Sequence, residues 1–213
     1  MKKVIEQCLK YVEVFFKDEA SGHDYFHTLR VYKTAIHIAN IEKANVDIVA
    51  LASLLHDVDD IKISPLTHKN KDNARKFLTH NNIDLDTINH ICKIIDEVSF
   101  KGTNSIKPNT LEGQIVQDAD RLDAIGAIGI ARAFAYGGNH NRVMYDPNEK
   151  PCLNMNEEQY RNHVSTTINH FYEKLFYLKK LMNTNTAKVI ATSREEYMKE
   201  YIDRFLDEWD GIK

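Results

Sequence analysis

Apolar residues recur every three or four positions along most of the chain, the spacing that places them on one face of an α-helix. This pattern predicts a first helix near the N-terminus, a second that begins near Asp24, and a third that Asp47 caps and that ends at His56-Asp57. Further helices are predicted over residues 72–80, 84–98, 111–136, 156–182 and 186–209. No alternating pattern of the β-strand kind interrupts them, so the sequence predicts an all-α helical bundle.

Glycine, proline and polar residues separate the predicted helices. One long separating stretch is 139–154, which contains Pro147 and Pro151 and shows little periodicity. Such segments often act as lids or substrate walls, so we expect an irregular, lid-like segment here. A chain of 213 residues fits one domain. We therefore expect a single domain over residues 1–213, with the helices of 156–210 packed on its core.

Composition and charge are those of an ordinary soluble globular protein. Hydrophobic residues make up 43% of the chain and charged residues 28%, and a net charge of -3 gives no electrostatic signature of nucleic-acid binding. The N-terminal stretch is too polar for a signal peptide, and no later run is long and apolar enough to span a bilayer. We expect a cytoplasmic protein that binds neither membranes nor nucleic acids.

A dense group of ionisable residues stands at the predicted end of the third helix, where apolar residues run into His56-Asp57 and two more aspartates. Carboxylates this close repel one another unless a cation holds them. A His-Asp pair alone occurs often by chance, but His27 upstream and Asp120 downstream offer further ligands on other helices. Helical bundles build metal sites from side chains on facing helices. The sequence therefore predicts a metal site between helices.

The ligand types limit the choice of metal. Two imidazoles and two carboxylates form a mixed nitrogen and oxygen set without thiolate, which suits manganese, iron, cobalt, nickel or zinc better than calcium. Magnesium fits less well because it binds imidazole weakly. Four protein ligands leave coordination positions open for a water, which a divalent ion makes acidic enough to attack phosphorus. We therefore expect a hydrolytic site.

Five stretches, in this order, resemble the motifs of the HD-domain metal-dependent phosphohydrolases, in the branch of the bacterial YpgQ-like and YedJ-like proteins. They are Gly22-His23-Asp24-x-x-His27-x-x-Arg30-Val31, Leu55-His56-Asp57-Val58-Asp59-Asp60, Ser99-Phe100-Lys101-Gly102, Gln117-Asp118-Ala119-Asp120-Arg121-Leu122-Asp123-Ala124-Ile125-Gly126-Ala127, and His170-Phe171-Tyr172-Glu173-Lys174-Leu175. The bare His-Asp pair is a weak signal, whereas this ordered set covers most of the chain and is specific.

The resemblance implies an all-helical HD fold and assigns roles to acidic residues near the metal. The metal ligands of the family fall on the two histidines and two aspartates already named, and each is present. In related HD hydrolases an acidic residue four places after the motif histidine assists the attacking water. That position is Asp60, and Asp59 is the rival candidate. Spacing alone does not decide between them.

Four cationic or imidazole side chains near the motifs are candidate substrate contacts: Arg30, His23, Lys62 and Lys101. Arg30 lies three residues after His27 and so shares its helix face, where a guanidinium could meet a phosphate or form a salt bridge to a ligand carboxylate. His23 shares that face as well and is a candidate contact for substrate or a second ion. Exposed lysines often serve only solubility, which is the alternative for Lys62 and Lys101.

The resemblance also implies a reaction, because members of this branch are associated with hydrolysis of nucleotides, including release of pyrophosphate from nucleoside triphosphates. We therefore expect a small-molecule nucleotide substrate, hydrolysed to monophosphate and pyrophosphate by a metal-bound water, with manganese as the preferred ion. The combined positive charge near the motifs is more than one phosphoryl group needs; it comes from Arg30, Lys62, Lys101 and Arg194. The alternatives are a phosphodiesterase or phosphomonoesterase, and a non-catalytic module that senses a nucleotide. The oligomeric state, including a homodimer, is left open.

Overall fold

The described part of the chain is built from helices. In a computed structural model, the described residues are 1–19, 24–98, 106–153 and 163–213, and no β-strand occurs among them. The helices are α1 Lys2–Phe15, α2 Tyr25–Glu42, α3 Val46–Leu55, α4 Asp72–His80, α5 Leu85–Val98, α6 Leu111–Asp123, α7 Gly126–Asn139, α8 Thr167–His170, α9 Phe176–Leu178 and α10 Asn185–Trp209. A π-helical turn, Phe171–Leu175, joins α8 to α9, and a 3-10 turn, Lys179–Leu181, follows α9. The prediction of an all-α fold is confirmed.

The chain forms two compact units, one with Met1–Ser99 and Ile106–Asp120 and the other with Arg121–Lys213. In the first unit α3 is the central helix, because α1, α2 and α5 all pack against it. Its residues Ile48 to Leu55 are all buried. In the second unit α10 packs along α7. The single domain with C-terminal helices on its core stays a prediction.

Side-chain caps fix where the site-bearing helices of the first unit begin. The Asp24 carboxylate caps α2 by accepting a hydrogen bond of 2.6 Å from the His27 backbone N–H, as the predicted start required. For α3 the predicted cap was wrong. Asn45, and not Asp47, caps this helix, since its side-chain oxygen accepts from the N–H groups of Asp47 and Ile48. The helix ends at Leu55 with His56 as its C-cap, in agreement with the predicted end at His56-Asp57.

The predicted helix over 111–136 is two helices, α6 and α7. The chain leaves the helical path at Ala124 and Ile125, and Gly126 restarts it with a φ of +77°, a conformation that favours glycine. Apolar periodicity continues across the break and hides it. The predicted end at residue 136 was also wrong, because α7 continues through Gly137 and Gly138 to Asn139.

The predicted helix over 156–182 lies only partly within the described residues. Residues 154–162 lie outside the described part of the chain, and 163–166 are not helical. The helix starts at Thr167, where the Thr166 hydroxyl accepts from the Asn169 N–H. The described residues 140–153 contain no helix, in agreement with the predicted irregular segment. A lid function for that segment stays a prediction.

In the described part of the chain, no helix combines the length and the apolar character that crossing a membrane requires. The expected cytoplasmic location stays a prediction.

Candidate metal centre

Three helices of the first unit deliver four side chains to one place. His27 lies in the first turn of α2, and His56 and Asp57 directly follow α3. Asp120 lies near the end of α6. The Asp24 cap fixes the backbone of His27, and the buried α3 fixes the point at which His56 leaves its helix.

The ligand-type atoms of these side chains converge. Nε2 of His27 lies 3.4 Å from Oδ2 of Asp57 and 3.4 Å from Oδ1 of Asp120. Nε2 of His56 lies 3.2 Å from the same Asp57 oxygen and 4.0 Å from the same Asp120 oxygen. The two Nε2 atoms are 3.3 Å apart. Two imidazole nitrogens and one carboxylate oxygen thus form a close group, and an Asp120 oxygen lies beside both imidazoles. Their role as metal ligands stays a prediction.

The cluster is enclosed on one side and accessible on the other. His27 is 1% exposed, and His56 and Asp57 are each 7% exposed. The Asp120 side chain is 27% exposed. Ionised groups buried to this degree are costly unless each meets an opposite charge. The arrangement therefore suits a cation that three buried ligands hold and that solvent or a substrate can reach past Asp120.

The second nitrogen of His56 has a structural partner. Nδ1 lies 2.8 Å from the backbone carbonyl oxygen of Ser53, one turn back in α3. A donated Nδ1–H leaves Nε2 as the lone-pair atom, directed at the carboxylates. The imidazole is held in the tautomer that a metal ligand needs.

The charges around His56 raise the pKa of its imidazole to about 9. Burial lowers this pKa, but the Asp57 carboxylate, through charge and a hydrogen bond, and the Asp120 carboxylate together raise it by more. The site therefore favours positive charge at this point. A divalent cation meets the same preference and leaves the imidazole neutral.

The two candidate catalytic acids differ in their surroundings. Asp59 is 1% exposed, and its two carboxylate oxygens accept hydrogen bonds of 3.1 and 3.0 Å from the N–H groups of Asn73 and Ala74. Asp60 is half-buried, and its Oδ1 accepts a hydrogen bond of 2.8 Å from the Lys62 N–H. Both assignments stay predictions, with Asp59 the more fully engaged of the two.

The predicted substrate contacts are only partly within the described residues. Arg30 lies one turn beyond His27 on α2 and is half-buried, and Lys62 is exposed. His23 and Lys101 lie outside the described part of the chain. Arg194 belongs to the second unit, where its guanidinium donates to the Leu122 carbonyl oxygen. A phosphate contact for any of these side chains stays a prediction.

Two residues that contact the site or the segment after it were not identified from the sequence. Ser53 acts through its backbone carbonyl, which no sequence pattern reveals. Asn73 stands in the first turn of α4 and bonds back to the segment that follows His56-Asp57. An Asp-Asn pair at a helix start was the available signal.

Comparison with known proteins agrees with this geometry. The HD-domain family model matches residues 24–125, which include all four clustered side chains. Over 99% of its length the chain is 34% identical to YpgQ of Bacillus subtilis, an uncharacterized protein, and the match covers 96% of that relative. The chain belongs to the HD-domain family. This confirms the resemblance to the HD-domain phosphohydrolases that the sequence motifs indicated.

Solved structures of related proteins match over nearly the full chain. A Lactobacillus plantarum protein is 42% identical with a TM-score of 0.85, covering 99% of this chain and 98% of its own. An HD-superfamily hydrolase from Bacillus thuringiensis is 40% identical with a TM-score of 0.79 and the same two coverages. Bacillus subtilis YpgQ in complex with ADP is 32% identical with a TM-score of 0.76, covering 98% of this chain and 100% of its own.

Proposed function

We propose that the protein is a divalent-metal-dependent phosphohydrolase that acts on nucleotides. The observation that carries the proposal is the convergence of His27 Nε2, His56 Nε2 and Asp57 Oδ2, which lie 3.2 to 3.4 Å apart. Oδ1 of Asp120 lies 3.4 and 4.0 Å from the two imidazole nitrogens. These four side chains are the proposed metal ligands. Their mixed nitrogen and oxygen chemistry favours manganese, with nickel, cobalt, iron, zinc and magnesium as alternatives.

The chain's own residues supply positioning and proton transfer. A bound divalent ion supplies Lewis acidity and an acidified water. The Ser53 carbonyl oxygen accepts a hydrogen bond from the Nδ1–H of His56, which leaves Nε2 as the atom that would bind the ion. Asp60 is the proposed acceptor of the proton that the attacking water loses, because its carboxylate is half-buried and lies three residues past Asp57. Asp59 is the weaker candidate because N–H groups occupy both of its oxygens.

A nucleoside triphosphate is the proposed substrate, with nucleoside monophosphate and pyrophosphate as products. The YpgQ complex with ADP supports a nucleotide, since that relative covers nearly the whole chain. Arg30, one turn from His27, is the proposed first contact to phosphate. His23, Lys62 and Lys101 are proposed to meet the remaining phosphate charge.

A metal titration combined with a substrate screen tests the proposal. Chelator-treated protein receives manganese, nickel, cobalt, zinc or magnesium together with nucleoside triphosphates, monophosphates or cyclic dinucleotides, and the phosphate product is identified. We expect turnover of triphosphates that depends on added metal. Asp57→Ala should be inactive, and Asp86→Ala, which removes an exposed carboxylate in the first turn of α5, should behave as wild type. Nucleotide binding without single-turnover hydrolysis would make the protein a sensing module instead.

A further inference from the structure

The segment that follows the His56-Asp57 pair is tied to a helix outside the ligand set. Asp59 Oδ1 accepts from the Asn73 N–H at 3.1 Å, and Oδ2 accepts from the Ala74 N–H at 3.0 Å. These are N–H groups of the first turn of α4, which have no partner within the helix. Lys71, at the N-cap position, makes no side-chain capping bond. Asp59 therefore caps α4 from a different part of the chain.

The side chain of Asn73 in α4 also bonds back to the segment that follows Asp57, so the tie between this segment and α4 runs in both directions. Nδ2 of Asn73 donates to the Val58 carbonyl oxygen at 2.9 Å and to the Thr67 hydroxyl at 3.0 Å. The ring nitrogen Nδ1 of His68 lies 2.8 Å from the Asp59 carbonyl oxygen. Backbone and side-chain groups of Val58 and Asp59 are thus held from several directions. A carboxylate at a helix N-terminus is further stabilised by the helix dipole.

The tied residues adjoin the cluster directly. Val58 follows Asp57, is fully buried, and continues the turn through its N–H bond to Leu55. The Asp60 N–H closes the turn onto the Asp57 carbonyl oxygen at 3.0 Å. Since the backbone of Asp57 is part of this turn, the bonds from α4 to Val58 and Asp59 restrain the backbone next to Asp57.

We propose that Asp59 and Asn73 are positioning residues, which act through the backbone of Asp57 to hold the proposed ligand set at the separation that a divalent ion needs. Neither side chain belongs to the proposed ligand set, and both bond to other protein groups. This inference rests on the metal site of the proposed function but not on the identity of the reaction. It gives the Asp59 carboxylate a role that differs from that of Asp60.

Direct manganese binding, measured by calorimetry on chelator-treated protein, tests the inference without turnover. Asp59→Asn replaces one carboxylate oxygen by an NH2 group, which cannot accept the hydrogen bond from a helix N–H. Asn73→Ala removes the bond to Val58 but keeps the backbone N–H that donates to Asp59. Partners of metal ligands usually change affinity by about 10- to 100-fold when removed. We expect the Kd for manganese to rise by about tenfold or more in each variant. If Asp59→Asn fails to fold, Asn73→Ala carries the test, because it keeps the helix cap.

The matched control is Leu78→Ala. Leu78 is a fully buried residue of α4 that belongs to no hydrogen bond of the turn, so this variant lowers the melting temperature without disturbing the tie. Its manganese Kd should stay within about twofold of wild type. If Asp59→Asn and Asn73→Ala both lower the melting temperature but leave the Kd for manganese unchanged, the two residues have structural roles only. That result would overturn the inference.

The outcome for wild type separates this inference from the proposed function. Wild-type protein that binds manganese but hydrolyses no phosphate ester overturns the proposed function alone. Wild-type protein that binds no divalent ion overturns both. A kinetic split gives a second readout. Asn73→Ala should raise the manganese concentration for half-maximal turnover and keep the rate at saturating manganese within about threefold of wild type, whereas Asp60→Asn should lower that rate.

Discussion

Asp57 is the residue on which the proposed centre depends most. One of its oxygens lies within 3.4 Å of both imidazoles, and the residue is largely buried. Removing this carboxylate leaves Asp120 as the one carboxylate of the four clustered side chains to balance a cation.

Asp57→Ala should therefore abolish tight metal binding and hydrolysis together. Elemental analysis of the purified variant measures the first and product formation the second. Full metal occupancy in Asp57→Ala would contradict the ligand assignment, and Asp86→Ala serves as the control for loss of a carboxylate elsewhere in the unit.

Asp60→Asn should keep the metal and lose turnover by about a hundredfold or more, the usual scale for a general acid or base. The half-buried Asp60 carboxylate has one oxygen bonded to the Lys62 N–H, so the amide variant can keep that contact. Manganese occupancy and the rate at saturating manganese are the two measurements. Near-normal turnover in Asp60→Asn would remove Asp60 from the mechanism.

The raised pKa of His56 predicts a pH dependence for the metal-free protein. The folded-state pKa of about 9 lies above the ordinary value of 6.5, so the protonated ring contributes stability that is fully present below pH 6.5. This contribution is lost as pH rises towards and through 9. Manganese affinity should increase over the same interval, because binding requires the neutral ring.

Thermal unfolding of chelator-treated protein between pH 6 and 10 measures this effect as the difference between wild type and His56→Gln. His37→Gln, which removes an exposed histidine of α2, is the control and should follow wild type. Parallel pH curves for wild type and His56→Gln would show that the ring does not titrate in this interval.

At the scale of helices, the break between α6 and α7 depends on Gly126 and the side chain that covers it. Gly126 has a φ of +77°, and a Cβ there would lie 2.9 Å from Cγ of Arg194. Arg194 in turn donates to the Leu122 carbonyl oxygen at the end of α6. Burial lowers the pKa of Arg194, and the nearby Asp123 charge offsets part of this shift. The guanidinium therefore has a structural role at the end of α6.

Gly126→Ala should lower the free energy of unfolding by about 1–3 kcal/mol, through backbone strain and the displacement of Arg194. Chemical denaturation measures the loss. The control is Gly138→Ala in α7, where no atom lies within 4 Å of the added Cβ, so this variant should be neutral or up to about 1 kcal/mol more stable. Equal effects of the two substitutions would contradict the account of the break.

Helix existence was predictable from periodicity, whereas the ends of helices often were not. The α4 range was predicted as observed, because its apolar stripe is flanked by clear polar turns. The single helix over 111–136 was wrong, since a glycine with positive φ leaves no trace in an apolar pattern. The cap of α3 was wrong as well, because Asn45 and Asp47 are both good capping residues and only the backbone path selects one.

For the whole molecule, the four clustered side chains were predictable because each lies in a recognisable motif and a helical bundle brings such motifs together. The tie between Asp59 and Asn73 was not, since it depends on where the first turn of α4 points. Family membership supports hydrolysis as a class of reaction. The bond that is cleaved depends on how a polyphosphate lies across the site, which neither motif nor fold specifies.

Hydrolysis of a nucleoside triphosphate in oxygen-18 water, with manganese present, tests the proposed reaction most directly. Attack at the α-phosphorus places the label in the nucleoside monophosphate and releases unlabelled pyrophosphate, and chelation of the manganese should stop the reaction. This is the result that the account predicts. Label in free orthophosphate, with nucleoside diphosphate as the other product, would mean attack at the γ-phosphorus and would contradict it.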